Sequence, residues 1–283
     1  MKIYIVIPAY NEASFIGQTI QSLVDQTLRP EKLVIVNDNS SDETARIVSA
    51  LAEKFSFISL ISTTSAEEEH SPGSKVIKAF NEGLKTLDLN YDIICKFDAD
   101  LIFPENYLEV ISEHFQKNSQ IGMVGGFCTI EKDGKWVKEN LTGKDHIRGA
   151  LKAYRKECFF QIGKLKCAMG WDTADELIAQ YYGWKITTVE ELRVKHLKPT
   201  GASYTERSGH RQGESFYRLR YGLPITLIAS AKLAFLKKDL SMFFDYLNGY
   251  RKAKKENQPF LVSEDEGRFI RRLRWQKIKG KFL

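Results

Sequence analysis

The stretch KFDADLIFP, residues 96–104, places two carboxylates, Asp98 and Asp100, directly after the apolar run Ile93-Ile94-Cys95. Carboxylates this close repel each other unless positive charge lies between them. They either cap a helix beginning near Pro104 or hold a cation. An Asp-x-Asp at a strand end offers hard oxygen donors suited to Mg²⁺ or Mn²⁺. Asp100 would bind such an ion directly, and Asp98 through water or by contact with a ribose. The ion would in turn neutralise a diphosphate. Asp38, following the run KLVIV, is placed to accept a hydrogen bond from a base or sugar hydroxyl. A further acidic cluster, WDTADE at 171–176, puts Asp172, Asp175 and Glu176 at a helix start. Asp172 and Asp175 are three apart and share a face, with Asp172 in position to cap.

These residues need elements to carry them, and the first half of the chain alternates. KIYIVI (2–7), KLVIV (32–36), FISLI (57–61) and DIICKF (92–97) are apolar runs of strand length. Near-continuous apolar strands belong in sheets covered on both faces. Between them, Ile16, Ile20, Leu23 and Val24 recur at helical spacing, as do Val48, Leu51, Ala52 and Phe55. Ser40-Ser41-Asp42-Glu43 reads as a capping box for the second helix, and a third helix is expected over 75–87. Strand–helix repetition implies a doubly wound, mostly parallel sheet. Ligands of such sheets sit beyond the carboxyl ends of the strands. Pro8 to Glu12, Asn37-Asp38 and Asp98-Ala99-Asp100 therefore share one rim. The first turn reads PAYNEASF and not GxGxxG, which argues against a dinucleotide-binding dehydrogenase.

After residue 120 the pattern is mixed. A strand is expected at 122–130, a helix at 172–182, and two short strands at 185–189 and 192–197. From about 205 the chain reads as helical and basic, and no internal repeat is present. After Glu266 every charged residue is basic: Arg268, Arg271, Arg272, Arg274, Lys277, Lys279 and Lys281. Such an end suits an anionic surface, or else packs as a solvated helix. The apolar stretch 223–236 is too short for a bilayer span; it suits either a helix lying at a membrane surface or a core helix, and the core helix is the expectation. The four cysteines, Cys95, Cys128, Cys158 and Cys167, show no metal-ligand spacing and point to a reducing, cytoplasmic setting. The N-terminus lacks the layout of a signal peptide.

Taken together, IVIPAYNEASFIGQTIQSLVDQ (5–26), LVIVNDNSSDET (33–44), GSKVIKAFNEGL (73–84), KFDADLIFPENYL (96–108), GWDTADELIAQYYGW (170–184) and VKHLKPTG (194–201) resemble the family-2 glycosyltransferases of the A-type fold. The resemblance covers roughly the first 200 residues in the family's order. It implies an α/β catalytic domain over 1–204, with a nucleotide-sugar half (1–120) and an acceptor half (121–204), followed by a helical, basic extension over 205–283. It also implies inversion at the anomeric carbon. Carried onto this sequence, Pro8, Ala9, Tyr10 and Glu12 line the nucleoside pocket, Asp38 contacts base or ribose, and Lys75 or Lys78 lies near the donor. Asp98 and Asp100 handle metal and diphosphate, and His196 stands where many relatives have a further metal ligand. Asp175 takes the place of the general base, although Ala174 replaces the acidic residue the family usually has beside it; Asp172 is the alternative base.

The resemblance further implies Mg²⁺ or Mn²⁺ as cofactor and a nucleotide-sugar donor, UDP being preferred to GDP or dTDP. The acceptor would be a glycan or a lipid-linked sugar. No nucleic-acid partner is expected. Peripheral membrane contact through the basic end, with Phe269, Trp275 and Phe282 at the interface, is a further expectation. RLRYG (218–222) is only faintly similar to the Q-x-x-R-W of processive synthases, and no spanning helices accompany it. Two other classes were weighed. A sugar-phosphate nucleotidyltransferase would carry a Gly-rich, basic loop where IPAYNEAS stands, and a degenerate binding domain would not keep Asp98, Asp100 and Asp175.

Overall fold

The run IYIVIPA is apolar on both faces, and both faces are covered: it forms β1 (Ile3–Ala9), at the buried centre of the sheet. The computed structural model describes residues 1–63, 74–139, 146–198 and 207–280. β1 leads to α1 (Ile16–Val24), β2 (Lys32–Asp38), α2 (Thr44–Lys54) and β3 (Ile58–Thr63). α3 (Ser74–Lys85), β4 (Ile93–Phe97), the two-residue β5 (Leu101–Ile102) and α4 (Tyr107–Lys117) follow. Next come β6 (Ile121–Lys132), β7 (Lys135–Lys138), β8 (Leu151–Arg155), α5 (Lys156–Gln161), α6 (Trp171–Tyr181) and β9 (Lys185–His196). The chain then runs through α7 (Arg207–Arg218), α8 (Gly222–Lys237), α9 (Ser241–Lys255) and α10 (Glu264–Lys279).

The sheet order is β3-β2-β1-β4-β8-β6-β9-β5, with β7 paired to β6. β3, β2, β1 and β4 are parallel, so their carboxyl ends line up. β8 joins antiparallel, which makes the sheet mixed. Two apolar layers sandwich it. One carries Ile5, Ile7, Ile16 and Ile20 beneath α1 and α4. The other carries Val6, Val34, Ile77 and Phe80 beneath α3, and extends without a break to Phe216, Tyr221 and Ile270 of the last helices. The C-terminal helices thus share a core with the sheet.

Several expectations change. The two strands at 185–189 and 192–197 are one, β9. Its exposed Glu190-Glu191 reads as a break in sequence, but the register against β6 slips between Gly125 and Phe127 and absorbs the intervening residues. A Cβ at Gly126 would run into the Leu192 carbonyl, so the slip needs glycine there. The capping box at 40–43 does not form. Asp42 Oδ1 instead accepts the Thr44 N–H at 3.0 Å, and Asp42 Oδ2 accepts the Ala13 N–H, fastening the first βα turn to the second. A capping box does form at Ser263 and Glu266, opening α10. The stretch 223–236 is not a core helix: α8 buries Ile225, Thr226, Ser230 and Ala234 and leaves Leu227, Ile228 and Phe235 exposed. β5, β7 and β8 have no counterpart in the sequence reading.

Candidate active site

The ends of β1, β2 and β4 open into a cleft of about 2030 Å³. Pro8, Ala9, Tyr10 and Glu12 line it from β1, Asp38 from β2, and Lys75 from α3. Asp98 and Asp100 enter from the β4–β5 turn, and Asp172 from the first turn of α6. Eight residues expected at a donor site therefore face one space, which Asp172 also lines. Lys78 is not among the lining residues; it is exposed on α3, on the side toward Cys167.

The Asp98–Asp100 pair is held by its surroundings. Thr19 reaches from α1 to hold the turn: its hydroxyl donates to the Ala99 carbonyl at 2.8 Å and accepts the Leu101 N–H at 3.0 Å. Burial alone would raise the Asp98 carboxyl, but the Lys96 ammonium in contact with it, with His196 and Arg148 nearby, holds it below the usual carboxylate range. Asp100 is buried, and its Oδ2 lies 3.2 Å from His196 Nε2. The register sets this approach, because β5 pairs antiparallel with β9 and puts Leu101 opposite His196. His196 Nδ1 is buried with no hydrogen bond among the described residues and faces Glu139 Oε2 at 3.6 Å. A carboxylate and an imidazole nitrogen this close, one backed by a second carboxylate, fit a divalent cation. Cys128, Glu139 and His196 also bring ligand atoms within 4.8 Å of one another. Burial pushes the Cys128 thiol up to about 11, against the pull of Arg148.

The acidic residues of α6 divide. Gly170, at φ 79°, turns the chain into the helix, and no side chain caps it, so Asp172 is not a cap. Asp172 faces the cleft, with its Oδ2 3.9 Å from His146 Nε2. Asp175, the expected base, does not line the cleft: it is 2% exposed, packed between α6 and β8. Its Oδ1 is 2.7 Å and its Oδ2 2.9 Å from Lys152 Nζ, and Tyr154 donates its hydroxyl to Oδ2 at 2.5 Å. Burial pushes the Asp175 carboxyl up to about 7 in spite of Lys152. Glu176 accepts the Ile147 N–H at 2.8 Å and pairs with His146 Nδ1 at 2.8 Å. Burial would raise Glu176, but Lys152 and His146 hold it below its ordinary value. Trp171 packs in the core, its ring facing Lys96 and Lys152 at 5.3 and 5.6 Å.

The sequence reading missed Lys96, His146, Arg148 and Lys198, which also line the cleft. Lys198 lies 3.1 Å from Glu12 Oε1 across 186 residues of chain. Burial raises the Glu12 carboxyl, and Lys198 partly offsets that. His146 and Arg148 precede β8, a strand with no alternation or turn signal to mark it, and only the fold brings them to the rim. Residues of α7, α8, α9 and α10 also line the cleft.

A mixed sheet flanked by helices, with acidic residues at the carboxyl ends of its parallel strands, is the A-type glycosyltransferase architecture. The sequence pattern of glycosyl transferase family 2 matches residues 4–167, more than half of the chain, and the protein belongs to that family. Over 101 residues, 35% of this chain and 23% of the relative, it is 37% identical to the probable glycosyltransferase YdaM of Bacillus subtilis. Over 141 residues, 49% of this chain and 30% of the relative, it is 29% identical to a poly-β-1,6-N-acetyl-D-glucosamine synthase of Staphylococcus epidermidis. The matches span under a third of the length of these relatives. The mannosyltransferase PcManGT of Pyrobaculum calidifontis, solved with GDP-Man and Mn²⁺, aligns over 75% of this chain and 61% of its own, at TM-score 0.55 and 18% identity. S. aureus TarS 1–349, solved with UDP-GlcNAc, aligns over 83% and 67%, at TM-score 0.57 and 15% identity. At such identities the likeness establishes the fold.

Proposed function

We propose that the protein is an inverting, metal-assisted transferase that moves a sugar from a nucleoside-diphosphate sugar to a hydroxyl acceptor. The observation that carries this reading is the convergence of Glu12, Asp38, Asp98 and Asp100 from three strand ends on a cleft that Asp172 also lines. Residues 1–120 would serve the donor, 121–204 the acceptor, and 205–283 would line the acceptor end. Solved neighbours hold UDP-GlcNAc or GDP-Man, which supports a nucleotide-sugar donor; UDP remains the preferred nucleotide.

Asp100 and His196 would hold Mg²⁺ or Mn²⁺, with Asp98 contributing through water and Glu139 orienting the His196 ring from Nδ1. When bound, the ion neutralises the diphosphate and stabilises it as a leaving group. Pro8 to Glu12 and Asp38 hold the nucleoside, and Lys75 adds positive charge near the phosphates. Asp172 takes the proton from the acceptor hydroxyl as its oxygen attacks the anomeric carbon. The bond to the diphosphate breaks on the opposite face, and its electron pair leaves with the diphosphate. Asp172, and not Asp175, takes this role because a base must reach the acceptor. Asp175 lies behind α6, bonded to Lys152 and Tyr154.

The acceptor is a glycan or a lipid-linked sugar, and a peripheral position at the cytoplasmic face of a membrane belongs to the same proposal. Titration calorimetry of UDP with Mn²⁺ tests the donor side. Asp100→Ala should weaken UDP–Mn²⁺ binding at least tenfold while UDP alone binds as before, because a hard cation loses a charged ligand. Equal Mn²⁺-dependent binding by wild type and Asp100→Ala would refute the metal assignment.

A further inference from the structure

Helix α8 is mostly apolar, with aliphatic residues on both its buried and its exposed sides, a composition that belongs in a core or a membrane. Yet only one side of it is buried. Pro224, Leu227, Ile228, Ala231 and Phe235 line the other side at helical spacing, and all five are exposed. The stripe continues past the helix end. Lys238 adopts a left-handed conformation, φ 54°, that turns the chain into α9 and leaves Leu236, Leu240 and Phe244 outward. Phe235 is 81%, Leu240 79%, and Leu236 and Phe244 each 63% exposed. Scattered apolar residues on a surface need no explanation, but a continuous strip with aromatic residues at its tip does.

Two observations identify what covers it. First, its charged neighbours are cations. Exposed Lys232, Lys237 and Lys238 lie on α8 and its corner, and Lys232 and Lys237, with Lys277 of α10, also line the adjoining end of the cleft. Between 222 and 244 the one carboxylate is Asp239, whose Oδ1 accepts the Ser241 N–H and hydroxyl. Second, the strip is continuous with the cleft: Ile225, Ile228, Ala229 and Leu233 of the same helix form its apolar end wall. A helix of 16 residues spans about 24 Å at 1.5 Å per residue, short of the hydrocarbon thickness of a bilayer, so it lies along a surface and does not cross one.

We infer that the exposed face of α8 and its corner with α9 seat the protein on an anionic lipid surface, so that an acceptor anchored in that surface enters the cleft by its apolar end. This rests on the transferase reading above and names its acceptor class: an amphiphile whose lipid stays in the membrane while its sugar hydroxyl reaches Asp172. It also moves the contact from the basic end to α8. In α10, Phe269 packs edge-on against Tyr181 at 5.7 Å, and Ile270 is fully buried. Phe282 lies outside the described residues.

The test is sedimentation of the full chain with sucrose-loaded vesicles of phosphatidylcholine alone or with about a quarter phosphatidylglycerol. Pelleting with the anionic vesicles and not the neutral ones, weakened by salt, is expected. Phe235→Ser with Leu240→Ser should reduce partition by about tenfold or more, since interfacial binding scales with buried apolar area. Both side chains are exposed, so the variant should keep the wild-type melting temperature and UDP–Mn²⁺ affinity. Equal pelleting by variant and wild type, or none by either, overturns the inference. So does light scattering that finds a dimer broken by the same substitutions, because a second copy would then cover the strip. Calorimetry separates the two readings. Nucleotide binding without vesicle binding overturns this inference alone, and vesicle binding without nucleotide binding upholds the surface but overturns the donor site.

Discussion

At the scale of residues, Asp172 and Asp175 carry the same group three positions apart and meet opposite environments. Asp172 faces the cleft, where a carboxylate can reach an acceptor; Asp175 is sealed behind α6 with Lys152 and Tyr154. Asp172→Asn should lower the turnover number by about 10²–10⁴ and leave donor affinity near wild type, the usual effect of losing a general base. Asp175→Asn should act through stability, lowering it by about 1–3 kcal/mol as one buried hydrogen-bonded partner is weakened. Kinetics and chemical denaturation of both variants decide between them. A rate collapse in Asp175→Asn at unchanged stability would return the role to Asp175.

At the scale of elements, the same cluster ties α6 to β8 and makes that tie pH-dependent. The Asp175 carboxyl stands at about 7 in the fold against its ordinary 3.8. Between those values the folded chain binds more protons than the unfolded one, so this contribution to stability falls as pH rises. Burial would lower His146, but Glu176 raises it above its ordinary 6.5. Its contribution is complete below that value and is lost as pH rises through the folded one. Both have the same sign. The melting temperature should therefore decline as pH rises from about 5 to about 8, and Asp175→Asn should remove the part of the decline below about pH 7. Differential scanning fluorimetry across that range reads both. A second element-level contact is the crossing of α7 and α9. A Cβ at Gly213 would meet the Tyr246 carbonyl, and one at Gly249 the His210 carbonyl. Alanine in a helix ordinarily stabilises by about 0.5–1 kcal/mol over glycine. Here Gly213→Ala should instead cost about 1–3 kcal/mol, because backbone cannot swing aside. A melting temperature at or above wild type would mean that the helices cross less closely.

At the scale of the whole molecule, the C-terminal helices behave as part of the catalytic body. Ile270 is fully buried, Arg271 donates to the Arg220 carbonyl at 2.9 Å, and Arg274 donates to the Tyr221 hydroxyl at 2.7 Å. Removing residues 264–283 would uncover Ile270 and its neighbours, and a buried aliphatic or aromatic side chain contributes about 1.5–3 kcal/mol. The truncated chain should melt well below the full chain; an unchanged midpoint would make α10 a loose arm. The same helix lines the cleft with Arg274, Lys277 and Ile278, linking this region's stability to the shape of the proposed acceptor site.

Sequence alone determined the first four parallel strands and the rim at their ends. Apolar runs of strand length, helical periodicity and short connections are local signals, and Pro8, Asp38, Asp98 and Asp100 follow directly on those runs. The Asp98–Asp100 turn was legible for the same reason. His196 was reachable only through the family resemblance, since its approach to Asp100 depends on β5 pairing with β9. Which carboxylate of WDTADE faces the cleft was decided by tertiary structure: helical spacing puts Asp172 and Asp175 on one face, but the rotation of α6 over β8 buries one and exposes the other. His146, Arg148 and Lys198 reach the rim through contacts between distant parts of the chain, which no local pattern records. The sequence left α8 between a core helix and one lying on a surface, because its apolar residues run along both sides. Only its packing shows that one face is left for another surface.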